Sequence, residues 1–196
     1  MAKSGQAGGS YGQDGFTLVE LAVVISILSI LIASILFIHS GNKSKAVALY
    51  SYMNSMGDAL IRMKSDNNCY TRVLAGLYDP GVDEIPSNTY CGVAYTAWQG
   101  PYIKPFPVDA AGEARVDNII AGVTVSLERD TSQPGFSSTY FLRAHNVPDA
   151  MITAAIEDCT GSRTIPADFT SGKCRAVPGS GGSTVGSFDY LVDLEQ

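Results

Sequence analysis

From Leu21 to Ile38 the chain runs for eighteen residues without a charged side chain. Wound as an α-helix at about 1.5 Å per residue, that stretch is about 27 Å long, close to the hydrocarbon thickness of a bilayer. Three fates suit such a segment: a cleaved secretory signal, a permanent anchor, or a helix that sits first in membrane and later packs against other helices.

The small-x-small triplet Ala46-Val47-Ala48 favours the first fate. The apolar stretch, however, exceeds the usual length of a signal core, and Lys3 is the only basic side chain before it. Orientation draws on two opposed signals. Lys43 and Lys45, just past the stretch, would hold the following residues in the cytoplasm by the positive-inside rule. Four cysteines, Cys69, Cys91, Cys159 and Cys174, argue for export. They form no C-x-x-C pair and have only His39 and His145 for company, a poor zinc set. An even number at wide spacing beyond a membrane segment reads as two disulfides in an oxidising compartment. Three connectivities are open, and sequence proximity favours Cys69 with Cys91 and Cys159 with Cys174.

Glu20 stands at the head of the apolar run, where a carboxylate placed in mid-membrane costs a few kcal/mol. The stretch "GFTLVELAVVISILSILIASILF" around it closely resembles the prepilin signature of type IV pilins and pseudopilins: Gly15 before the scissile bond, Phe16 after it, Glu20 four residues on. The resemblance implies cleavage after Gly15 by a prepilin peptidase at the cytoplasmic face and N-methylation of the new terminus at Phe16. It also implies that Glu20 neutralises the Phe16 amine of an adjacent subunit in a helical homopolymer. Each charge is costly when buried alone, so the pair sets axial register. Residues 1–15 are then a leader, 16–40 a transmembrane and filament-core helix, and 41–196 a globular domain. The implied partners are further copies of the chain, the peptidase, minor pilins, the inner-membrane assembly machinery, and the membrane before assembly. The implied location is the bacterial inner membrane, then an extracellular pilus. The family often has a proline in the first half of this helix; here Gly41 is the only weak point.

Beyond Gly41-Asn42 the pattern becomes amphipathic. Ala46, Leu49, Met53, Met56, Leu60 and Met63 recur at steps of three and four, while Lys43, Lys45, Asn54, Asp58 and Lys64 take other faces. One long helix from about Phe16 to about Ser65 is expected, stopped by Asp66-Asn67-Asn68. From Cys69 to Val116, Asp79-Pro80-Gly81 and Pro101, Pro105 and Pro107 predict a connecting loop with short strands. Its segment "WQGPYIKPFP" (Trp98 to Pro107) is similar to one in secretion pseudopilins.

Three alternating stretches predict strands: around Val123, Val125 and Leu127; around Tyr140 and Leu142; and around Phe188, Tyr190 and Val192, the last alternating with Asp189, Leu191 and Asp193. "RDTSQPGFSS" is the turn of an antiparallel meander, and "NVPDAMITAAIEDC" a short helix starting near Pro148. Cys159 and Cys174 would bound a loop holding the end of the sheet, which the family commonly uses as exposed recognition surface. The fold class is therefore α+β, a long N-terminal helix packed on an antiparallel sheet.

Enzyme chemistry finds little support. Gly8-Gly9-Ser10-Tyr11-Gly12 matches G-x-S-x-G but has no preceding strand. Neither histidine has a carboxylate at helix spacing, with His39 at the membrane boundary and His145 at a strand end. Asp79, Asp83 and Glu84 lack EF-hand spacing and are expected to be solvated. No cofactor or metal site is expected. A formal charge of −6, with Lys3 and Asp14 cancelling in the first fifteen residues, opposes general nucleic-acid binding. The expected function is a structural subunit of a type IV pilus, active in filament assembly and cell adhesion. The alternatives are a type II secretion pseudopilin or minor pilin and, in another class, a secreted enzyme or binding protein released at Ala48.

Overall fold

The computed structural model describes residues 17–133, 135–170 and 172–195, the side chains of residues 33–40 excepted. The chain divides into two units, Met1–His39 and Ser40–Gln196. Helix α1 is Leu18–Asn67.

In the larger unit α1 lays its apolar stripe on a sheet. Ala46, Leu49, Met53, Met56, Leu60 and Met63 are all fully buried, as their spacing requires, and Ala59 joins them. Close approach of helix and sheet rests on Gly57, where a Cβ would stand 3.0 Å from the Tyr190 ring. The helix ends two residues later than expected. Asn68 takes a left-handed φ of 56° and donates its backbone N–H to Lys64 O at 2.7 Å, satisfying a terminal carbonyl.

Five antiparallel strands form the sheet: β1 (Ala114–Arg115), β2 (Thr124–Asp130), β3 (Ser138–Pro148), β4 (Cys174–Val177) and β5 (Val185–Glu195), in the order β1-β2-β3-β5-β4. The three strands with clear alternation, β2, β3 and β5, occupy its centre. Helix α2 (Asp149–Thr160) follows β3, buries Met151, Ile152, Ala155 and Ile156, and ends at Gly161 in the left-handed region. Val125, Leu127, Tyr140, Leu142, Ala144, Phe188 and Tyr190 join the two helices in one core.

Strand β5 departs from strict alternation. Tyr140 pairs with Asp193 but Phe141 with Leu191, so Val192 is an extra residue. Asp193 is thereby turned from the Asp189 face to the helix side, where Lys64 and Tyr70 bind it.

The region Cys69–Val116 differs from expectation. In place of short strands it contains three 3₁₀ turns, Leu74–Leu77, Pro80–Glu84 and Pro86–Asn88, and the two-residue β1. Pro80 and Pro86 stand at the starts of two of these turns, where a missing N–H is harmless. Asp83 is a further correction: it is 1 % exposed, not solvated.

On the sheet face away from α1, Asp189 is fully buried between two arginines. Arg143 donates to both of its carboxylate oxygens at 2.8 Å, and Arg175 donates to Oδ2 at 2.9 Å. The Arg175 guanidinium also lies 4.6 Å from the Phe141 ring centre and 4.4 Å from that of Phe169. Phe169 belongs to the loop between Cys159 and Cys174, so this stack fastens the loop to the sheet.

Candidate assembly site

The smaller unit is read from its first turn. Thr17 precedes α1 and caps it: its Oγ1 accepts from the Glu20 backbone N–H at 3.2 Å, and its carbonyl from the Leu21 N–H at 3.1 Å. Thr17-Leu18-Val19-Glu20 has the capping-box spacing, a signal readable in the sequence that the emphasis on Glu20 alone passes over. Glu20 lies in the first turn of α1 and is exposed. There the unpaired N–H groups and the positive end of the helix dipole favour an anion, which gives the carboxylate a local reason to sit at the head of an apolar helix. Gly15 and Phe16 lie outside the described residues, as does the string Gly8 to Gly12.

After Glu20 the helix is apolar on every side. Leu21, Val23, Val24, Ile25, Ile27, Leu28, Ile30 and Ile32 are each about half exposed or more. Two hydroxyls interrupt them without leaving a bare donor: Ser26 Oγ donates to Ala22 O at 2.8 Å and Ser29 Oγ to Ile25 O at 2.7 Å. Such back-bonding makes serine tolerable where no water reaches it. Among the described residues no helix is long and apolar enough to cross a membrane. Described side chains of the run stop at Ile32, about 18 Å of helix from Leu21.

The other candidate residues lie in the larger unit. Cys69 is bonded to Cys91 and Cys159 to Cys174, with Cα separations of 6.1 and 6.4 Å. His145 lies in β3 opposite Thr124. Its Nε2 is 2.9 Å from Ser126 Oγ and 4.0 Å from Glu113 Oε1, a carboxylate that sequence spacing did not bring near. Serine and acid face the same ring nitrogen, whereas a serine–histidine–acid relay needs them on opposite ones. The side chain of His39 lies outside the described residues. Among the described residues no group of three or more His, Cys, Asp or Glu is placed to hold a metal ion.

A capped helix that opens on an acid and continues as an uncharged run, with a helix-on-antiparallel-sheet body, defines an α+β protein of the pilin fold. The family model described as the prokaryotic N-terminal methylation motif matches residues 11–36. The chain therefore carries the class III signal of type IV pilins and pseudopilins. No curated protein and no solved structure matches it.

Proposed function

We propose that the chain is a structural subunit of a type IV pilus, stored in the bacterial inner membrane, cut between Gly15 and Phe16 by prepilin peptidase, and polymerised through α1. The methylation motif at residues 11–36 carries this reading. It is supported by an exposed carboxylate at the head of a helix whose run from Leu21 to Ile32 carries no charge and exposes apolar side chains. Helix-to-helix burial supplies cohesion in the filament. Pairing of Glu20 with the Phe16 amine of a neighbouring copy sets the stagger, since either charge alone in that setting costs several kcal/mol.

A pseudopilin of a secretion system is the second reading, favoured by the similarity of Trp98 to Pro107. That segment is integral to the body: Trp98 Nε1 donates to Gly76 O at 3.0 Å, Tyr102 OH to Asp66 at 2.9 Å, and Arg62 to Tyr102 O at 3.0 Å.

Mass analysis of the mature terminus and recovery of filaments test the proposal together. Methylated Phe16, with Glu20→Ala subunits that are processed but lost from filaments, is the expected outcome. A terminus at Leu49 would instead mark release by ordinary signal peptidase. Abundance in isolated filaments separates a major pilin from a minor one.

A further inference from the structure

Thr71 is the hub of the segment closed by the Cys69–Cys91 bridge. Its Oγ1 lies 2.6 Å from Val73 O and 2.9 Å from Asp83 Oδ1, and it accepts the Val73 N–H at 3.1 Å. Asn88 O, at 3.5 Å, is a marginal third acceptor. A hydroxyl has one proton and two lone pairs. The proton goes to the nearest acceptor, Val73 O, and Val73 N–H occupies one lone pair. The contact with Asp83 is then a hydrogen bond only if the carboxyl owns the proton and donates it to the remaining lone pair.

The surroundings agree with this count. Asp83 is 1 % exposed, and its Oδ2 is buried without a partner. A bare carbonyl-type oxygen of a neutral acid is far cheaper to bury than a bare carboxylate oxygen. The charged group facing it is Asp79, of the same sign, and the Tyr95 phenol on its other side is committed to Cys69 O at 2.9 Å. Among the described residues no lysine or arginine pairs with Asp83. A Cβ at Gly76 would collide with both the carboxyl and the Thr71 hydroxyl, so the backbone closes directly over the pair. Burial, reinforced by Asp79, pushes the carboxyl up to about 6, and does so even against a Thr71 hydroxyl donating to it.

We propose that in the latched form of the folded protein Asp83 is a neutral acid donating to Thr71, and that its ionisation unlatches the segment between Cys69 and Tyr95. A raised carboxyl value means that the folded state holds the proton more tightly than the unfolded one. The stabilisation is full below the ordinary value of 3.8 and is lost as pH rises through about 6. Once ionised, Asp83 competes with Val73 O for the single Thr71 proton. The turn Leu74–Leu77 and the Tyr95 N–H to Asp83 O contact at 3.4 Å then loosen together. The latch is independent of how residues 11–36 are used.

Two measurements on the full-length chain in detergent micelles test it. In the unmodified protein, carboxyl NMR of labelled aspartates should show Asp83 titrating at about 6, well above the ordinary aspartate value of 3.8. Amide exchange at residues 71–84, corrected for intrinsic pH dependence and referenced to β3, should rise at least about tenfold from pH 5 to pH 8. In Asp83→Asn, whose amide mimics the neutral acid, that rise should vanish. Titration of Asp83 at the ordinary aspartate value of 3.8 overturns the proposal without any variant. An Asp83→Asn chain that keeps the same pH-dependent rise overturns it as well.

Discussion

Lys64, in the last turn of α1, binds Asp193 and Glu195 at the end of β5, with Nζ to Oε1 of Glu195 at 2.6 Å. The same ammonium lies 5.0 Å from the centre of the Tyr70 ring, whose hydroxyl also binds Asp193. Burial alone would raise the Asp193 carboxyl, but Lys64 and Tyr70 outweigh it and hold the group below its ordinary range. Its stabilising contribution is therefore present above about pH 4 and is lost as pH falls through the depressed folded value. Lys64→Met should cost about 1–3 kcal/mol at pH 7, the worth of a hydrogen bond to a charged group, and should flatten the acid limb of stability. Thermal unfolding of parent and variant from pH 2 to pH 7 checks both.

Asp189 is fully buried and pairs with both Arg143 and Arg175. Asp189→Ala removes the buried carboxylate that bonds both guanidiniums, leaving them the more distant Glu128, Asp130 and Asp168, and a loss of about 3–5 kcal/mol is expected. Denaturant unfolding measures it. The double variant Arg175→Met with Asp189→Leu should recover part of the loss.

Gly57→Ala sets a gain of about 1 kcal/mol in helix propensity against displacement of the Tyr190 ring, whose hydroxyl donates to Asn54 at 2.6 Å. Near-neutral stability is expected. Gly57→Leu has no such escape and should cost about 1–3 kcal/mol by overpacking. The two melting temperatures side by side distinguish the cases.

The Cys159–Cys174 bridge spans a sequence separation of 15 residues. Replacing both cysteines by serine should cost about 3 kcal/mol on chain-entropy grounds. Because Phe169 is held by Arg175 and Phe141 independently of the bridge, the loop should stay docked under native conditions. Amide exchange at residues 165–170 reports on that docking.

Thr17→Val removes the hydroxyl cap, and about 1 kcal/mol of stability in the first turn with it. Exchange of the Glu20 amide should speed up about fivefold, and Thr17→Ser should restore it.

What could be read in the sequence was what repeats. The methionine-rich stripe of α1 and the alternation of β2, β3 and β5 are periodic, and each landed on the core. The strand β4, Cys-Arg-Ala-Val, has no period of its own and is a strand only because β5 lies beside it. The bulge at Val192 is equally invisible, since an extra residue can be recognised only against its partner strand. Asp83 looked like one of several solvated acids because its partner, Thr71, is twelve residues away and joined to it by the bridge and the turns between. In the candidate site, Glu20 stood out as a charge beside an apolar run. Thr17 did not, though its spacing to Glu20 was on view, because a threonine at that point offends no rule.

The stack of Arg175 against Phe141 and Phe169 has an evolutionary corollary. With Cys159 and Cys174 riveting its ends and Phe169 pinned near the second, the loop leaves Ser162, Arg163 and Thr164 facing solvent. The patch touches the body through the exposed Arg163–Glu157 pair, a contact of little worth, so lineages can rewrite this small outward-facing patch while the scaffold beneath stays the same.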